Sequence, residues 1–457
     1  MMVRVARQVH GRCVVALCAV TLTLAFQQVL VAQEASGVSE AALRAAAPAE
    51  WLTNGRDQAE THYSPLDQID VDNVDELGLA WSWIIPKSGA RLEATPVVSD
   101  GVMYATGPKS FVYALDARTG EKQWQWDPGI PDERQGGPSI CCGDVNRGVA
   151  LYGDKVFVGL LDGRLVGLDR ETGLVDWTVQ TTPRGADYSV TGAPRVVKGN
   201  VIIGNGGADN GLRGYVSAYD VDTGELVWRF YTVPGDPTDG QESPILERAA
   251  ETWSGEYWKT GTGGTAWDAI VYDPELDQLY IGVGNGGPWD PSQRSPEGGD
   301  NLFRASIVAV EPDTGEYLWH YQQVPADAWD YAATQPIVLA DLEIEGRTRK
   351  VLMQAPKNGF FYVLDRRDGR LLSANNFVDI TWATHVDMET GRPVETTNAR
   401  YQAGPNTIFP SYLGGHNWHP MSFNPNTGLV YIPVLDIPAN YGEPENFVYR
   451  PGVPNLG

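Results

Sequence analysis

The stretch GVMYATGPKSFVYALDARTGEKQW, residues 101–124, decides the fold, because its pattern returns along the chain. Alternating apolar residues lead into a D-x-x-T-G turn, and the next strand ends at Trp124. Residues 154–177 and 200–228 repeat the pattern, and the Asp residues that open the three turns lie 53 and 51 residues apart. Such alternation around a glycine turn is a β-hairpin signature. A period of about 40 to 50 residues is typical of a β-propeller.

Weaker copies extend the repeat. A fourth copy, with an insertion, ends at Trp319, residues 351–373 form a fifth without its Trp, and residues 421–434 keep a trace. The stretch LAWSWIIP, residues 79–86, reads as an entry strand. Because the Trp keeps its offset, we expect these rings to interlock neighbouring sheets. Stacked sandwich domains are the alternative, which the lack of linker-like segments between repeats disfavours. The prediction is an all-β protein.

The composition narrows the class of function. The formal net charge is −24 and the Lys and Arg residues are not clustered, which argues against a nucleic-acid partner. With 51 Gly, 31 Pro and 15 Trp the chain fits many short strands joined by tight turns, and long helices are expected to be scarce.

The first 32 residues have the order of a secretory signal peptide: three Arg residues, the apolar run of residues 13–26, then small residues. A retained anchor is the alternative. We therefore expect export to the periplasm, a lead segment over residues 33–50, and one domain over residues 51–457. Cleavage leaves only the adjacent Cys141 and Cys142, in an oxidising compartment, and no CxxCH haem motif occurs.

Three residue types at separate strand ends point to a bound object. Trp267 offers a flat ring, and Asn285 offers an amide flanked by glycines. Asp330 offers a carboxylate in a Trp-rich turn. Glycines beside Trp267 and Asn285 allow the backbone to approach a ligand closely. The ligand is expected to be flat and rich in oxygen.

Six motifs together resemble one known family. They are CCGDVNR (141–147), TGAPRVV (191–197), GGTAWDAIVYDPE (263–275), GVGNGGPWD (282–290), DAWDYA (327–332) and QAPKNGFFYVLDR (354–366). In combination they resemble the pyrroloquinoline quinone (PQQ)-dependent alcohol dehydrogenases, from Trp51 to the last residue. The repeat alone is shared with non-catalytic propellers of outer-membrane assembly. The resemblance implies an eight-bladed β-propeller, and we expect this chain to be truncated before the last blade closes.

The resemblance implies a sandwich around the cofactor. Trp267 would be its floor, and a disulfide between Cys141 and Cys142 its roof. Adjacent Cα atoms lie about 3.8 Å apart, less than the usual disulfide span, so such a ring is strained. Two free thiols are the alternative.

The resemblance also implies a cation and a base. Asp209, Asn285 and Asp330 would be the ligands of Ca²⁺, a hard cation that takes carboxylate and amide oxygens. Asp209 stands where the family usually has Glu. Ala332 stands where lanthanide-dependent relatives have a second Asp, which favours calcium. Asp330 would also be the catalytic base, with Asp327 as its competitor.

The remaining implied contacts hold the cofactor. Lys357 and Arg147 would bind the quinone oxygens and the cofactor carboxylates. Further contacts are expected from Glu93, Thr191, Ala208, Thr265, Asn417 and Trp418. His416 and His419 make a poor zinc site on their own, and the GNGGAD loop leads into a strand where a dinucleotide motif needs a helix.

The expected function is therefore that of an exported quinoprotein. It would oxidise a primary alcohol to an aldehyde by hydride transfer to PQQ with Ca²⁺, and pass electrons to a cytochrome c, separate or in a further domain. We expect no stable membrane insertion. The alternatives are a non-catalytic propeller scaffold for protein assembly and a PQQ dehydrogenase of sugars or polymeric alcohols.

Overall fold

The computed structural model describes residues 37–85, 91–131, 142–443, 445–450 and 452–456. Twenty strands form five antiparallel sheets of four consecutive strands each. The first sheet has β1 (Val97–Ser99), β2 (Val102–Thr106), β3 (Val112–Asp116) and β4 (Lys122–Trp126). The second has β5 (Ala150–Tyr152), β6 (Lys155–Gly159), β7 (Arg164–Asp169) and β8 (Val175–Gln180). The third has β9 (Arg195–Val197), β10 (Asn200–Gly204), β11 (Tyr215–Asp220) and β12 (Leu226–Tyr231).

The fourth and fifth sheets carry the longer insertions. The fourth has β13 (Ile270–Asp273), β14 (Gln278–Val283), β15 (Ser306–Val310) and β16 (Tyr317–Gln322). The fifth has β17 (Ile337–Ile344), β18 (Arg347–Gln354), β19 (Phe360–Asp365) and β20 (Leu371–Asn376). Three strand pairs follow: β21 (Ala383–Val386) with β22 (Pro393–Glu395), β23 (Asn406–Ile408) with β26 (Ala439–Tyr441), and β24 (Ser422–Asn424) with β25 (Leu429–Tyr431).

The predicted D-x-x-T-G hairpins are present. Asp116 Oδ1 accepts the backbone N–H of Arg118 and of Thr119, at 2.9 and 2.7 Å, and so fixes the turn between β3 and β4. In the fourth sheet Glu311 takes this place and accepts the N–H of Thr314 at 2.8 Å. Each turn joins the third and fourth strands of a sheet.

The repeated Trp interlocks neighbouring sheets as predicted. Each indole packs on the turn glycine of the following sheet, where a Cβ would lie 2.4 to 2.7 Å from the ring. These glycines have φ values of 70 to 74°, so they are required both for the turn and for the packing. The pairs between sheets are Trp124–Gly173, Trp177–Gly224, Trp228–Gly315 and Trp319–Gly369. Trp81, which precedes the first sheet, packs in the same way on Gly120.

The sheets are arranged around an axis. The first strands of the second to fifth sheets contact one another in order, β5 with β9, β9 with β13 and β13 with β17. Buried apolar clusters fill the spaces between sheets, such as the cluster of Ile202, Phe230, Ile281 and Val308 between the third and fourth. This is the all-β propeller architecture that the sequence predicts.

Helices are short, as expected: α1 (Glu40–Ala45), α2 (Pro244–Ala250) and α3 (Pro291–Arg294). Within the described ranges no helix has the length and apolar character needed to cross a bilayer. The prediction of an entry strand at LAWSWIIP is wrong for residues 79–85, which are described and form no strand. Trp81 nevertheless packs on Gly120. The repeat at residues 351–373 forms β18 to β20, and that at 421–434 forms β24 and β25.

Candidate active site

The predicted site residues lie on one edge of the sheets. They occur either just before the first strand of a sheet or between its second and third strands. In consecutive antiparallel strands these two positions lie at the same edge, opposite the D-x-x-T-G turns. The topology therefore brings together loops that are far apart in sequence.

Asp330 and Lys357 form the central pair. Lys357 Nζ donates to Asp330 Oδ2 at 2.9 Å, and both residues are buried. Burial raises the pKa of Asp330 to about 8; Lys357 opposes this rise, whereas Asp209 and Asp327 add to it. Burial lowers the pKa of Lys357, but Asp330, Asp209 and Cys142 together outweigh this effect, and the pKa is raised. Asp330 thus has the environment of a group that exchanges a proton near neutral pH.

Asp327, the competing base, shapes the loop that presents Asp330. Its Oδ1 accepts the backbone N–H of Trp329 and of Tyr331, both at 3.1 Å. Asp330 itself lies at φ 67°, a left-handed conformation that is uncommon outside glycine. Strain of this kind persists where surrounding contacts fix it, and here the side chain of Asp327 provides two of those contacts.

Asp209 and Asn285 lie on adjoining loops. The N–H of Gly287 donates to Ala208 O at 3.3 Å, which joins the two loops. Trp289 Nε1 donates to Asp209 Oδ1 at 3.2 Å, and burial raises the pKa of Asp209 although this bond opposes it. Lys357 also opposes the rise in the pKa of Asp209, and the charge of Asp209 in turn adds to the rise in the pKa of Asp330.

Arg147 organises the other half of the site. Its Nη2 donates to Glu93 Oε2 at 2.7 Å and its Nη1 to Thr191 Oγ1 at 2.8 Å. The guanidinium lies 4.7 Å from the centre of the Trp267 indole, and its Nε lies 3.7 Å from Asp268 Oδ2. A planar cation, a carboxylate, a hydroxyl and a flat ring therefore meet at one place.

The residues present fit a flat, oxygen-rich group and a hard cation. Thr265 Oγ1, Asn285 Nδ2 and Arg147 Nε are buried and have no hydrogen-bond partner among the described residues, a state that buried polar atoms rarely keep. Close backbone contacts shape the loops: a Cβ at Gly263 would lie 2.6 Å from Asn285 O. The two carboxylates and one amide of Asp209, Asn285 and Asp330 are the donor set of a hard cation.

The remaining predicted site residues do not all direct their side chains to the two halves of the site. Ala208 lies beside Gly287 as described above, and Trp418 lines a cavity with Glu93 and Arg147. The amide of Asn417 is used in its own turn, donating to Leu413 O at 2.8 Å and accepting from Trp418 N at 2.9 Å. Cys141 lies outside the described residues, so the predicted disulfide with Cys142 stays a prediction.

Two buried residues near the site were not predicted. Arg304 is 1% exposed and donates to the carbonyl of Gly286, next to Asn285, while Arg294 donates to the carbonyls of Trp289 and Asp327. Their signal in the sequence is a charged residue beside an apolar stretch, NLFRASIVAV in the case of Arg304. A buried guanidinium needs compensating acidic groups, and Asp327, Asp209 and Asp330 supply them for Arg304.

Comparison with known proteins agrees with this geometry. Residues 51–376 match the family model described as PQQ, glucose/ethanol/alcohol dehydrogenase, β-propeller domain. The chain is 57% identical over 420 residues to the quinohemoprotein alcohol dehydrogenase ADH IIB of Pseudomonas putida. The aligned region covers 91% of this chain and 60% of that protein. The chain thus spans about 60% of the length of that relative.

Solved structures show the same fold. The quinohemoprotein alcohol dehydrogenase of Comamonas testosteroni matches with a TM-score of 0.86 and 51% identity, over 89% of this chain and 61% of that one. A europium-containing methanol dehydrogenase matches with a TM-score of 0.82 and 37% identity, over 90% of this chain and 73% of that one. The family match covers more than half of the chain and the relatives are oxidoreductases of the PQQ type, so this chain belongs to the PQQ-dependent alcohol dehydrogenase family of β-propellers.

Proposed function

We propose that this protein oxidises a primary alcohol to an aldehyde with PQQ and Ca²⁺, using Asp330 as the base. The observation that carries the proposal is the buried Asp330–Lys357 pair, on the same edge as Asp209 and Asn285 and beside the Arg147–Trp267 half of the site. The chain spans only part of its relatives, so the activity is proposed for the whole protein of which these loops form the site.

Each residue has a distinct task in this proposal. Asp330 takes the proton of the substrate hydroxyl, and Lys357 holds that carboxylate in place and neutralises negative charge that develops on an adjacent oxygen. Arg147 binds a carboxylate of the cofactor through its guanidinium group, which in this structure donates to Glu93 and Thr191. Trp267 supplies an apolar face. When bound, PQQ would accept the hydride, and the cation would polarise its carbonyl group.

The choice of cation rests on the oxygen ligands. Asp209, Asn285 and Asp330 supply two carboxylates and one amide, which suits Ca²⁺. Ala332 is buried beside Asp330 and adds no oxygen ligand. One structural relative is a europium-containing methanol dehydrogenase. The resemblance implies a second Asp at this position in lanthanide-dependent relatives, and its replacement by Ala332 supports the proposal of calcium here.

Calcium binding should release a proton. Because the pKa of Asp330 is raised to about 8, this carboxyl is largely protonated at pH 7 in the cation-free protein, and a bound cation favours the ionised form. Calcium affinity should therefore rise with pH up to about 8 and level off above it. Calorimetry at pH 7 in two buffers of different ionisation enthalpy should give about one proton released per Ca²⁺.

The control for this proton count is Asp330→Asn, which has no carboxyl to titrate. Its calcium binding should be weaker and should release much less than one proton at pH 7. Equal proton release by the variant and the unaltered protein would assign the titration to another group, with Asp209 the first candidate because burial also raises its pKa.

Further features are proposed for the whole protein. The N-terminal sequence supports export to the periplasm, and a cytochrome c is the proposed acceptor, since the relatives are quinohemoproteins by name. We also propose eight blades and a disulfide between Cys141 and Cys142. If alkylation of the unreduced, exported protein labelled both cysteines, this disulfide would be ruled out.

The test of the proposed function is a titration of cofactor-free protein with PQQ, with and without Ca²⁺, followed by quenching of tryptophan fluorescence. Ethanol and a redox dye are then added. Saturable, calcium-dependent quenching followed by dye reduction is the expected result. A folded protein that binds no PQQ would contradict the proposal and favour the propeller scaffold. Dye reduction with sugars but not with simple alcohols would change the substrate class.

A further inference from the structure

The N-terminal segment of residues 51–63 closes the propeller axis. Trp51 forms a backbone bridge to Val98 of β1, Ala59 O accepts the N–H of Leu339 in β17, and Thr61 O accepts the N–H of Phe423 in β24, at 2.9 Å in both cases. Each partner lies in the first strand of its sheet or strand pair. The segment therefore crosses the centre of the ring.

Glu60, in this segment, forms a buried bidentate pair with Arg195 at the start of β9. Arg195 Nε donates to Glu60 Oε1 at 2.7 Å, and Arg195 Nη2 donates to Glu60 Oε2 at 3.2 Å. Both side chains are no more than 10% exposed. Leaving either charge unpaired in such a place would be costly, so the pair fixes the segment on the axis.

Two small cavities flank the Glu60–Arg195 pair. One, of about 20 Å³, is lined by Glu93, Arg147 and Asp268 and so begins at the candidate active site. The other, of about 30 Å³, is lined by Gln58, Thr53 and Leu43 of α1. Asn54, Glu60 and Arg195 line both. Each cavity has room for about one ordered water molecule.

Several buried polar atoms near this line have no hydrogen-bond partner within the part of the chain that the structure describes. They include Arg147 Nε, His62 Nε2, Gln58 Oε1 and Glu40 Oε2. Buried polar atoms in proteins are nearly always bonded to protein or to ordered water. Arg147 and Gln58 line the cavities, so water there would complete the bonding of Arg147 Nε and Gln58 Oε1. Gln58 Nε2 donates to Glu40 Oε1 at 3.3 Å, and the Glu40 side chain is 26% exposed.

We refer to Glu93, Arg147, Asp268, Glu60, Arg195 and Gln58 as the axial row. Its carboxylates are spaced by cations and by the two cavities, so that each can exchange a proton with a neighbouring water. Burial raises the pKa of Glu93 and of Glu60, although Arg147 and Arg195 oppose the rise. Both carboxylates are thus easier to protonate than exposed ones.

Alcohol oxidation needs an exit for protons. Conversion of R–CH₂OH to R–CHO frees two electrons and two protons, and once a one-electron acceptor protein has taken both electrons in turn, both protons must reach solvent. We infer that the axial row, hydrated through its two cavities, conducts protons from the active site to the opposite face of the propeller. This inference rests on the proposed function.

The variant that tests the row is Glu60→Gln in the PQQ- and calcium-loaded protein. Gln keeps one oxygen that can accept from Arg195 but cannot carry a proton, and the free energy of unfolding of Glu60→Gln measures the cost of losing the charge pair. We expect turnover with a cytochrome c as the electron acceptor to fall about 10-fold or more, and the solvent deuterium isotope effect on this turnover to rise. Reduction of the loaded protein by alcohol in a single turnover, and the Kd for PQQ, should stay within about twofold, because the hydride step does not use the row.

The matched control is Asp273→Asn. Asp273 is also a buried carboxylate paired with an arginine, with Arg366 Nε at 2.8 Å, but it lines neither of the two cavities. The Asp273→Asn substitution should change neither the turnover nor its solvent isotope effect. Unchanged turnover in Glu60→Gln would overturn the inference. If the affinity for PQQ fell by the same factor as the turnover, Glu60 would have a structural role only.

A readout independent of activity is a high-resolution crystal structure of the cofactor-free protein. Ordered waters within hydrogen-bond distance of Arg147 Nε and Gln58 Oε1 are expected in the two cavities. Cavities without water, in a protein that oxidises alcohols, would contradict proton conduction by the axial row but would leave the proposed function standing. An inactive protein with these waters in place would overturn the proposed function, and the proton route with it, but not the hydration.

Discussion

Asp330→Asn should lower the rate of alcohol oxidation by about 10²- to 10⁴-fold, the usual contribution of a general base. Asn matches the size of Asp but cannot take the hydroxyl proton, and it leaves Lys357 without its counter-ion at 2.9 Å. The measurement is dye reduction under saturating PQQ, Ca²⁺ and ethanol. The Kd for PQQ, taken from fluorescence quenching, shows whether the loss lies in the chemical step or in binding of the cofactor.

Asp327→Asn discriminates between the two carboxylates of the loop. An Asn at this position keeps an Oδ1 that can accept from the N–H groups of Trp329 and Tyr331, so the loop should persist and activity should fall much less than in Asp330→Asn. A larger loss in Asp327→Asn than in Asp330→Asn would reverse the assignment of the base. The free energy of unfolding of both variants separates loss of chemistry from loss of fold.

The one-sided placement of the site is readable from the sequence because it follows from strand order alone. Residues before the first strand and between the second and third strands of a repeat must share an edge, and Arg147, Trp267, Asn285 and Lys357 obey this rule. The repeats could be located because the turn Asp or Glu, the Gly and the Trp keep their spacing. These are local signals, and each is fixed by a few neighbouring residues.

Other features could not be read because they depend on distant partners. Glu60 and Arg195 are 135 residues apart, and nothing local marks Glu60 as buried. Residues 79–85 look like a strand in composition, but a strand requires a hydrogen-bonded neighbour, and the described residues provide none.

The interlocking of sheets predicts the largest loss of stability. Trp228→Ala should lower the free energy of unfolding by about 3 to 5 kcal/mol, the usual cost of removing a buried Trp side chain. Trp228 is 7% exposed, packs on Gly315 of the next sheet, and donates its N–H to Pro312 O at 2.9 Å. Denaturant unfolding measures the effect. Trp228→Phe, which keeps an aromatic ring but loses the N–H, should cost less.

Gly315→Ala tests the same contact from the other side, and Gly346→Ala is its matched control. Both glycines have φ +71°, so Ala at either site should cost about 1 to 2 kcal/mol for the left-handed backbone. At Gly346 no atom lies within 4 Å of the new Cβ, whereas at Gly315 it would lie 2.6 Å from the Trp228 ring. Gly315→Ala should therefore cost clearly more than Gly346→Ala, and the excess should disappear when Trp228→Ala is combined with it, because the clash needs both groups. Equal costs at the two glycines would mean that the indole moves away freely and does not lock the sheets.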